Sequence, residues 1–242
     1  MSNKPLSRKA KEIQSRNELI MSEAQILLAT KGLQGLTMQA IADRTDYSKG
    51  TIYQHFGCKE EILASFVLRD ANRMAFIMDE ILSMEDSLRY KLVLLSDCFF
   101  VNTRRQPEIT GIVAMVKSPD FQSKLGQEYR DEIKEVEQAI MLRVVRIFTS
   151  DEGFDVQKAK QAGFGWWAMK WGVQDVLSNG WELASLGFDS PEQSFFDSLH
   201  IYLNGLGVSD DPLSHDLASL QLKAKALLES SFEFIKTKRK PS

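Results

Sequence analysis

The chain has 242 residues, 43% hydrophobic and 26% charged, with a net charge of -3. Those figures are ordinary for a soluble globular protein and exclude a mainly disordered chain. No run approaches the roughly 18 consecutive apolar residues a membrane span needs, and the polar, basic stretch Met1–Lys11 lacks the apolar core of a signal peptide, so a cytoplasmic protein without membrane contact is expected. Cys58 and Cys98 are the only cysteines, and His55, His200 and His215 are scattered, so no disulfide scaffold, metal site or cofactor is expected. Charge is uneven along the chain. Residues 1–60 carry nine Lys/Arg against six Asp/Glu, while residues 61–242 carry twenty-one against twenty-seven, which puts a modest positive excess at the N-terminal end.

Apolar residues recur at helical spacing in nearly every segment, and strand signals are weak, which predicts an all-α fold. The first helix is expected over about 8–30, with Leu19, Ile20, Ala24, Leu27 and Leu28 facing inward and Gly32 and Gly35 ending it. Thr37 is a good N-cap for a second helix to about Arg44. Ser48 caps a third to about Phe56, and Gly57 breaks that one before Lys59 opens a long helix to about Leu82. Further stripes follow at Leu88 to Phe99, at Ile109 to Val116 after Pro107, and at Tyr129 to Ile147. Two more helices are expected over about 156–184 and 191–206, and a last one over 214–236. The architecture is therefore an N-terminal three-helix unit, residues 1–58, joined to a larger helical bundle, residues 59–242.

The segment from Thr37 to Phe56 holds two helices too short to bury a core alone, joined by a tight turn at Thr45–Tyr47. That is helix-turn-helix geometry. Met38, Ile41 and Ala42 can pack inward from the first of these helices, and Ile52 and Phe56 from the second, against Leu27 and Leu28. Counting 100° per residue from Ile52, positions 50 and 54 point away from the core, with 51 and 53 on the flanks. Gly50 allows close backbone approach, Gln54 offers a two-point hydrogen bond to adenine, and Lys49 reaches a guanine edge or a phosphate. Thr37, Ser48, Thr51 and Tyr53 offer hydroxyls to phosphate oxygens, and the helix starts at Thr37 and Lys59 are natural phosphate seats. Tyr47 is placed to reach the DNA backbone. The basic run Lys4, Arg8, Lys9, Lys11 and Arg16 is placed to add backbone or minor-groove contacts.

Between about Ile20 and Leu63 the motifs Gly35-Leu-Thr, Ile41-Ala, Ser48-Lys-Gly-Thr-Ile-Tyr-Gln-His-Phe56 and Lys59-Glu-Glu-Ile-Leu63 resemble the TetR family of transcriptional repressors. The resemblance implies a homodimer that places its recognition helices in successive major grooves of a palindromic operator and leaves DNA when a small molecule enters the C-terminal bundle. Carried over residue by residue, it implies phosphate contacts at Thr37, Thr51, Tyr53 and Lys59, and base-edge contacts at Lys49, Gly50 and Gln54. The sequence departs from the family at Thr45-Asp46-Tyr47, where Ala-Gly-Val is usual, and at Cys58, where Ser or Asp is common. Asp46 still tolerates a left-handed turn. Cys58 lies near a helix start and Lys59, where a lowered thiol pKa would favour redox sensing, although a lone cysteine there reads more simply as an unreactive substitution.

The stretch Ala162-Gly-Phe-Gly-Trp-Trp-Ala-Met-Lys-Trp-Gly-Val173 is apolar nearly all round, so its helix needs cover on more than one side. Trp167 and Trp171 are expected to meet the chain's own core. The opposite face, with Gly165 and Gly172 permitting close approach, would pack on a partner subunit together with Phe195, Leu199 and Tyr202, and the resemblance implies the same two helices. Candidate ligand-lining residues are Phe99, Phe100, Met115, Phe121, Trp166, Trp167, Met169 and Trp171, with Asp97, Asn102, Gln174 and Asp175 as orienting polar groups. Each aromatic reads equally as plain core. The aromatic content favours a largely apolar effector. No catalytic constellation is visible, so the chain is read as a regulator and not an enzyme; an all-α enzyme, or an interaction module with a non-specific helix-turn-helix, is the alternative.

Overall fold

A computed structural model describes residues 7–178, 185, 187, 188 and 190–238, and every regular element among them is helical. The elements are α1 (Arg8–Gly35), α2 (Met38–Thr45), α3 (Lys49–His55), α4 (Lys59–Leu82), α5 (Leu88–Arg105) and α6 (Pro107–Val116), followed by α7 (Pro119–Ser123), α8 (Gln127–Phe148), α9 (Val156–Ser178) and α10 (Pro191–Gly205). A 3-10 turn (Pro212–His215) precedes α11 (Leu217–Lys238). The expected extension of α9 from 179 to 184 and the basic residue Lys4 lie outside the described residues.

Local chemistry sets the boundaries. Ser7, Thr37, Ser48, Ser87, Ser118 and Ser190 each accept a backbone N–H three residues ahead, satisfying a donor the helix cannot reach itself. Gly32 leaves helical geometry with φ of 62°, which kinks α1 where the sequence placed its end. The short α7 was not expected, although Ser118-Pro119 is the cap-and-proline pair that opens a helix.

Packing groups the chain into two compact units. The first runs to Arg69 and takes in Gly111–Ile133; the second holds Asp70–Thr110 and Lys134–Lys236. In the first, Ile20, Ala24, Leu27 and Leu28 of α1 close a core with Met38, Ile41, Ala42, Ile52 and Phe56. Met21 also belongs to that core, whereas Leu19 is exposed, so the expected inward stripe holds at four of its five positions. Arg44 pairs with Glu23 at 2.5 Å and ties α2 to α1.

The second unit has its own core, built from Met74, Ile77, Met78 and Ile81 of α4, most of α5, and inward faces of α8 to α11. On α9 the buried face is Ala159, Ala162, Trp166 and Lys170, spaced at three and four. Trp166 is fully buried and donates its indole N–H to Ser96 Oγ at 3.0 Å, while Trp167 and Trp171 are only half-buried. The inward face thus centres on Trp166, with Trp167 packed on the same core from its edge.

Candidate functional site

The turn between α2 and α3 determines how the recognition helix is presented. Asp46 takes the left-handed conformation there, with φ of 56° and ψ of 21°. Thr37 Oγ1 accepts from Ala40 N at 3.0 Å and Ser48 Oγ from Thr51 N at 3.1 Å, so both short helices are capped by hydroxyl side chains at the surface. Ser48 Oγ also lies 2.9 Å from Thr51 Oγ1. Ile52 is fully buried beneath them, which leaves Gly50, Tyr53 and Gln54 exposed. A Cβ at Gly50 would meet nothing closer than Ser48 Oγ at 3.7 Å, so this glycine keeps the outer face of α3 flat.

An open groove of about 400 Å³ runs past the amino ends of α2 and α4, lined by Thr37, Met38, Gln39, Lys49, Tyr53, Gly57, Cys58, Lys59 and Glu60. It gathers Thr37, Lys49, Tyr53 and Lys59 of the nine sequence-derived candidates. Gly50, Gln54, Ser48 and Thr51 lie on α3 or its cap outside that lining, and Tyr47 is half-buried in the turn. Sequence reasoning missed Gln39, Gly57 and Glu60. Gln39 had a signal, since the second residue of a capped helix presents a free backbone N–H. Glu60 puts a carboxylate beside Lys59, and Glu61 Oε2 accepts from Gly57 N at 2.7 Å, so both acids serve the start of α4.

Cys58 lines the groove, and His55 stands at the end of α3. Burial pushes the Cys58 thiol up from its ordinary value, and the charges of Glu61 and Glu60 add to that, while Sγ donates to Lys124 O at 3.6 Å. The lowered thiol pKa considered from sequence is therefore overturned, and the thiolate chemistry of a redox sensor is disfavoured. His55, at the end of α3, hydrogen-bonds through Nδ1 to Asn17 Oδ1 of α1; burial, then the charge of Arg16, lowers its pKa.

In the second unit, Phe100 makes edge contacts with Phe195 and Phe196 at 5.2 and 5.5 Å, and Phe99 lies 5.9 Å from Trp166. Lys170 is buried with its ammonium 4.3 Å over Phe99 and 4.0 Å over Trp171, and it donates to Gln174 Oε1 at 3.2 Å. Asn102 is buried and donates to Asp70 Oδ1 at 2.8 Å. Asp97 is buried with Oδ2 lacking a hydrogen-bond partner, and burial pushes its pKa up to about 6. Met169 is half-buried and Asp175 exposed. Met115 and Phe121 belong to the first unit, where Phe121 is buried.

Of the dimer candidates, Phe195 and Leu199 are buried in the protomer's own core and Gly172 is exposed. Tyr202 donates to Ala162 O at 2.8 Å and packs on Gly165, joining α10 to α9 within the protomer. Phe164, Ala168 and Gly172 on α9, and Ser198, Ile201 and Gly205 on α10, are exposed, with polar neighbours such as Asp197 and Asn204.

Residues 20–66, which contain the whole of α2, α3 and the start of α4, match the family model of bacterial regulatory proteins, tetR family. The helix-turn-helix segment is therefore similar to that of the TetR family, over about a fifth of the chain. The N-terminal domain is similar to the HTH-type transcriptional repressor AcnR of Corynebacterium efficiens, 36% identical over 70 residues that cover 29% of this chain and 37% of that repressor. The match therefore spans little more than a third of the curated relative. Over longer stretches the chain is similar in fold to FadR of Bacillus subtilis in complex with stearoyl-CoA (TM-score 0.55, 21% identity, 78% of this chain and 98% of that one). It is similar also to FadR of Thermus thermophilus in complex with lauroyl-CoA (TM-score 0.57, 16% identity, 81% and 98%).

Proposed function

We propose that this protein is a ligand-responsive transcriptional repressor that binds a palindromic DNA operator as a homodimer and is released by a small, largely apolar effector. The observation that carries the reading is the groove at the amino ends of α2 and α4, where Thr37, Lys49, Tyr53 and Lys59 converge beside the exposed face of α3. Hydroxyls, ammonium groups and unpaired N–H donors at helix starts are the chemistry that seats a phosphate backbone. Thr37, Thr51, Tyr53 and Lys59, with Tyr47 and Ser48 beside them, take the phosphates; Lys49, Gly50 and Gln54 face the base edges.

Residues 1–58 are the DNA-binding head and 59–242 the ligand-binding and dimerisation region. The exposed apolar face of α9 and α10, centred on Phe164 and Ile201, supports the homodimer, because such a face on two adjacent helices marks a contact surface. The aromatic and methionine side chains around Phe99, Phe100, Trp166, Trp167, Met169 and Trp171 support an apolar ligand. Acyl-CoA thioesters are the first probes, since both FadR neighbours hold one. Helix α4 is continuous from Lys59 at the groove to Leu82, and a ligand acts by shifting the population of head spacings away from the 34–36 Å or so that successive major grooves require. No described helix is long and apolar enough to cross a membrane, in keeping with a protein that acts in the cytoplasm.

The test is selection of bound sequences from a random duplex pool, with the winner titrated against salt. A two-fold palindrome with a steep salt slope supports the reading; no enrichment, and weak binding indifferent to Lys49→Ala and Gln54→Ala, would overturn it.

A further inference from the structure

The second unit contains a fully buried arginine that no part of the proposed DNA or effector reading uses. Arg89, in the first turn of α5, is 0% exposed. Its Nε donates to Ser209 O at 2.8 Å, and Nη2 donates to Asn204 Oδ1 at 2.6 Å and Val208 O at 2.7 Å. The guanidinium therefore holds the carboxyl end of α10 and the chain that leaves it, where Gly207 turns with φ of 80°. Its remaining nitrogen, Nη1, lies 3.1 Å from His200 Nδ1. A guanidinium has five donors and no acceptor, so His200 Nδ1 must present its lone pair. This one contact makes His200 a neutral imidazole with its proton on Nε2.

The surroundings hold the ring in that state. His200 stacks on His215 of the 3-10 turn, centroids 4.3 Å apart and 12° from parallel, and His215 Nε2 lies 2.9 Å from Asp210 Oδ1. Asp210 is also 3.5 Å from Arg89 Nε. Ser87, the cap of α5, donates to Asp211, which in turn caps the 3-10 turn. The charged and titratable groups facing His200 are thus Arg89 from α5, His215 and Asp210 from the connection, and Asp197 from its own helix. Burial, then the charges of His215 and Arg89, hold the His200 pKa below its ordinary value, against the pull of Asp210 and Asp197.

The geometry points to a proton-operated latch: protonation of His200 Nδ1 turns one acceptor of Arg89 Nη1 into a second donor, leaving that nitrogen only His200 O at 3.5 Å, and so loosens the hold of α5 on the end of α10 and the 3-10 turn. The proton comes from solvent, and no bond other than N–H is made. For a histidine whose folded pKa is depressed, the stabilising contribution is whole above the ordinary 6.5 and is lost as pH falls from there through the folded value. The loss therefore comes on mild acidification. A second step rests on the dimer reading above: α10 also carries the exposed Ile201, so opening the latch weakens the dimer and with it operator binding.

Two measurements on the full chain test this. Nitrogen NMR of histidine-labelled protein should show His200 Nδ1 without a proton at pH 7.5, titrating below 6.5; a protonated Nδ1 at pH 7.5 overturns the latch. Thermal unfolding of wild type and His200→Asn, whose Oδ1 can accept from Arg89 but cannot be protonated, should diverge on going from pH 7.5 to 5.5, wild type losing more. Parallel profiles also overturn it. Sedimentation at the two pH values then isolates the second step: a dimer that weakens several-fold more in wild type than in His200→Asn supports it, and equal behaviour removes it. A monomer at both pH values defeats the dimer reading itself and leaves the latch to the NMR result.

Discussion

Gly165 of α9 and Tyr202 of α10 occupy the same point of the crossing between those helices: a Cβ on Gly165 would overlap the Tyr202 hydroxyl and stand 2.9 Å from ring carbon Cζ. The hydroxyl is not free to swing away, because it donates to Ala162 O at 2.8 Å. Gly165→Ala should therefore destabilise the second unit by about 1–3 kcal/mol through overpacking and loss of that bond. Gly165→Ala combined with Tyr202→Ala should show a coupling of opposite sign, because the clash disappears with the ring. Urea unfolding of the four proteins measures both.

Asp97 contributes in the opposite sense to a paired carboxylate. Its pKa is raised from 3.8 to about 6, chiefly by burial, with Glu192 adding and Arg104 and Lys225 opposing. Below pH 3.8 both folded and unfolded chains hold the proton. As pH rises towards about 6 the unfolded chain releases it first, so stability is lost across that interval and stays lost above it. Asp97→Asn keeps the shape without the charge and should be more stable than wild type at pH 7.5 by on the order of 2 kcal/mol, with little gain near pH 4. Denaturant midpoints at the two pH values decide it.

How far these features were legible in the sequence depends on how local their cause is. The caps Thr37 and Ser48 were visible because a cap is a hydrogen bond over three residues. The inward face of α9 was not, because a helix apolar all round has no polar stripe to orient it, and only the meeting of Trp166 with Ser96 selects the face. The groove required α2, α3 and α4 to converge, so Glu60 carried no pattern of its own, and Gln39 only its place behind the Thr37 cap. Arg89, between Leu88 and Tyr90, looked like an ordinary cation. Its acceptors come from residues more than 100 positions later, beyond any window of periodicity.

Asp46 is the one non-glycine residue with positive φ among the described residues. Its left-handed conformation costs an ordinary side chain about 1–2 kcal/mol, which aspartate reduces and glycine avoids. Asp46→Gly should leave stability equal or slightly raised, and Asp46→Val should lower it by about that amount, read as a shift in thermal midpoint. A neutral Asp46→Val would mean that the turn does not hold this backbone in solution.

Lys49, Gln54 and Gly50 are exposed and contribute nothing to the core. Alanine at Lys49 or Gln54 should therefore leave stability within about 0.5 kcal/mol and act on DNA alone. Lys49→Ala should lower the salt slope of operator binding by about 1 for each altered head. Gln54→Ala should cost about 1–3 kcal/mol at one symmetric operator position and nothing at others. Fluorescence anisotropy over a salt series, with operators varied one base pair at a time, separates the two effects.

The dimer face can be tested against an internal control. Phe164 and Ile201 are 61% and 72% exposed on α9 and α10, and Leu222 on α11 is 70% exposed. Exposure alone does not make an interface, since single apolar side chains are common on protein surfaces. What distinguishes the first two is that their helices cross and share an open face with Ala168, Gly172 and Ser198, whereas Leu222 stands on a helix whose buried face is already spent on the core through Leu220, Ala224 and Leu228. Glutamate at Phe164 or Ile201 would place a charge against its own symmetry mate across a two-fold interface, so desolvation and repulsion act together. Phe164→Glu and Ile201→Glu should each sediment as monomers, keep helical content, and lose operator binding, because a single head makes half the contacts. Leu222→Glu should remain a dimer with wild-type affinity. If Leu222→Glu dissociates the dimer and the other two do not, the interface lies on α11, and the open face of α9 and α10 must be covered by something other than a second copy.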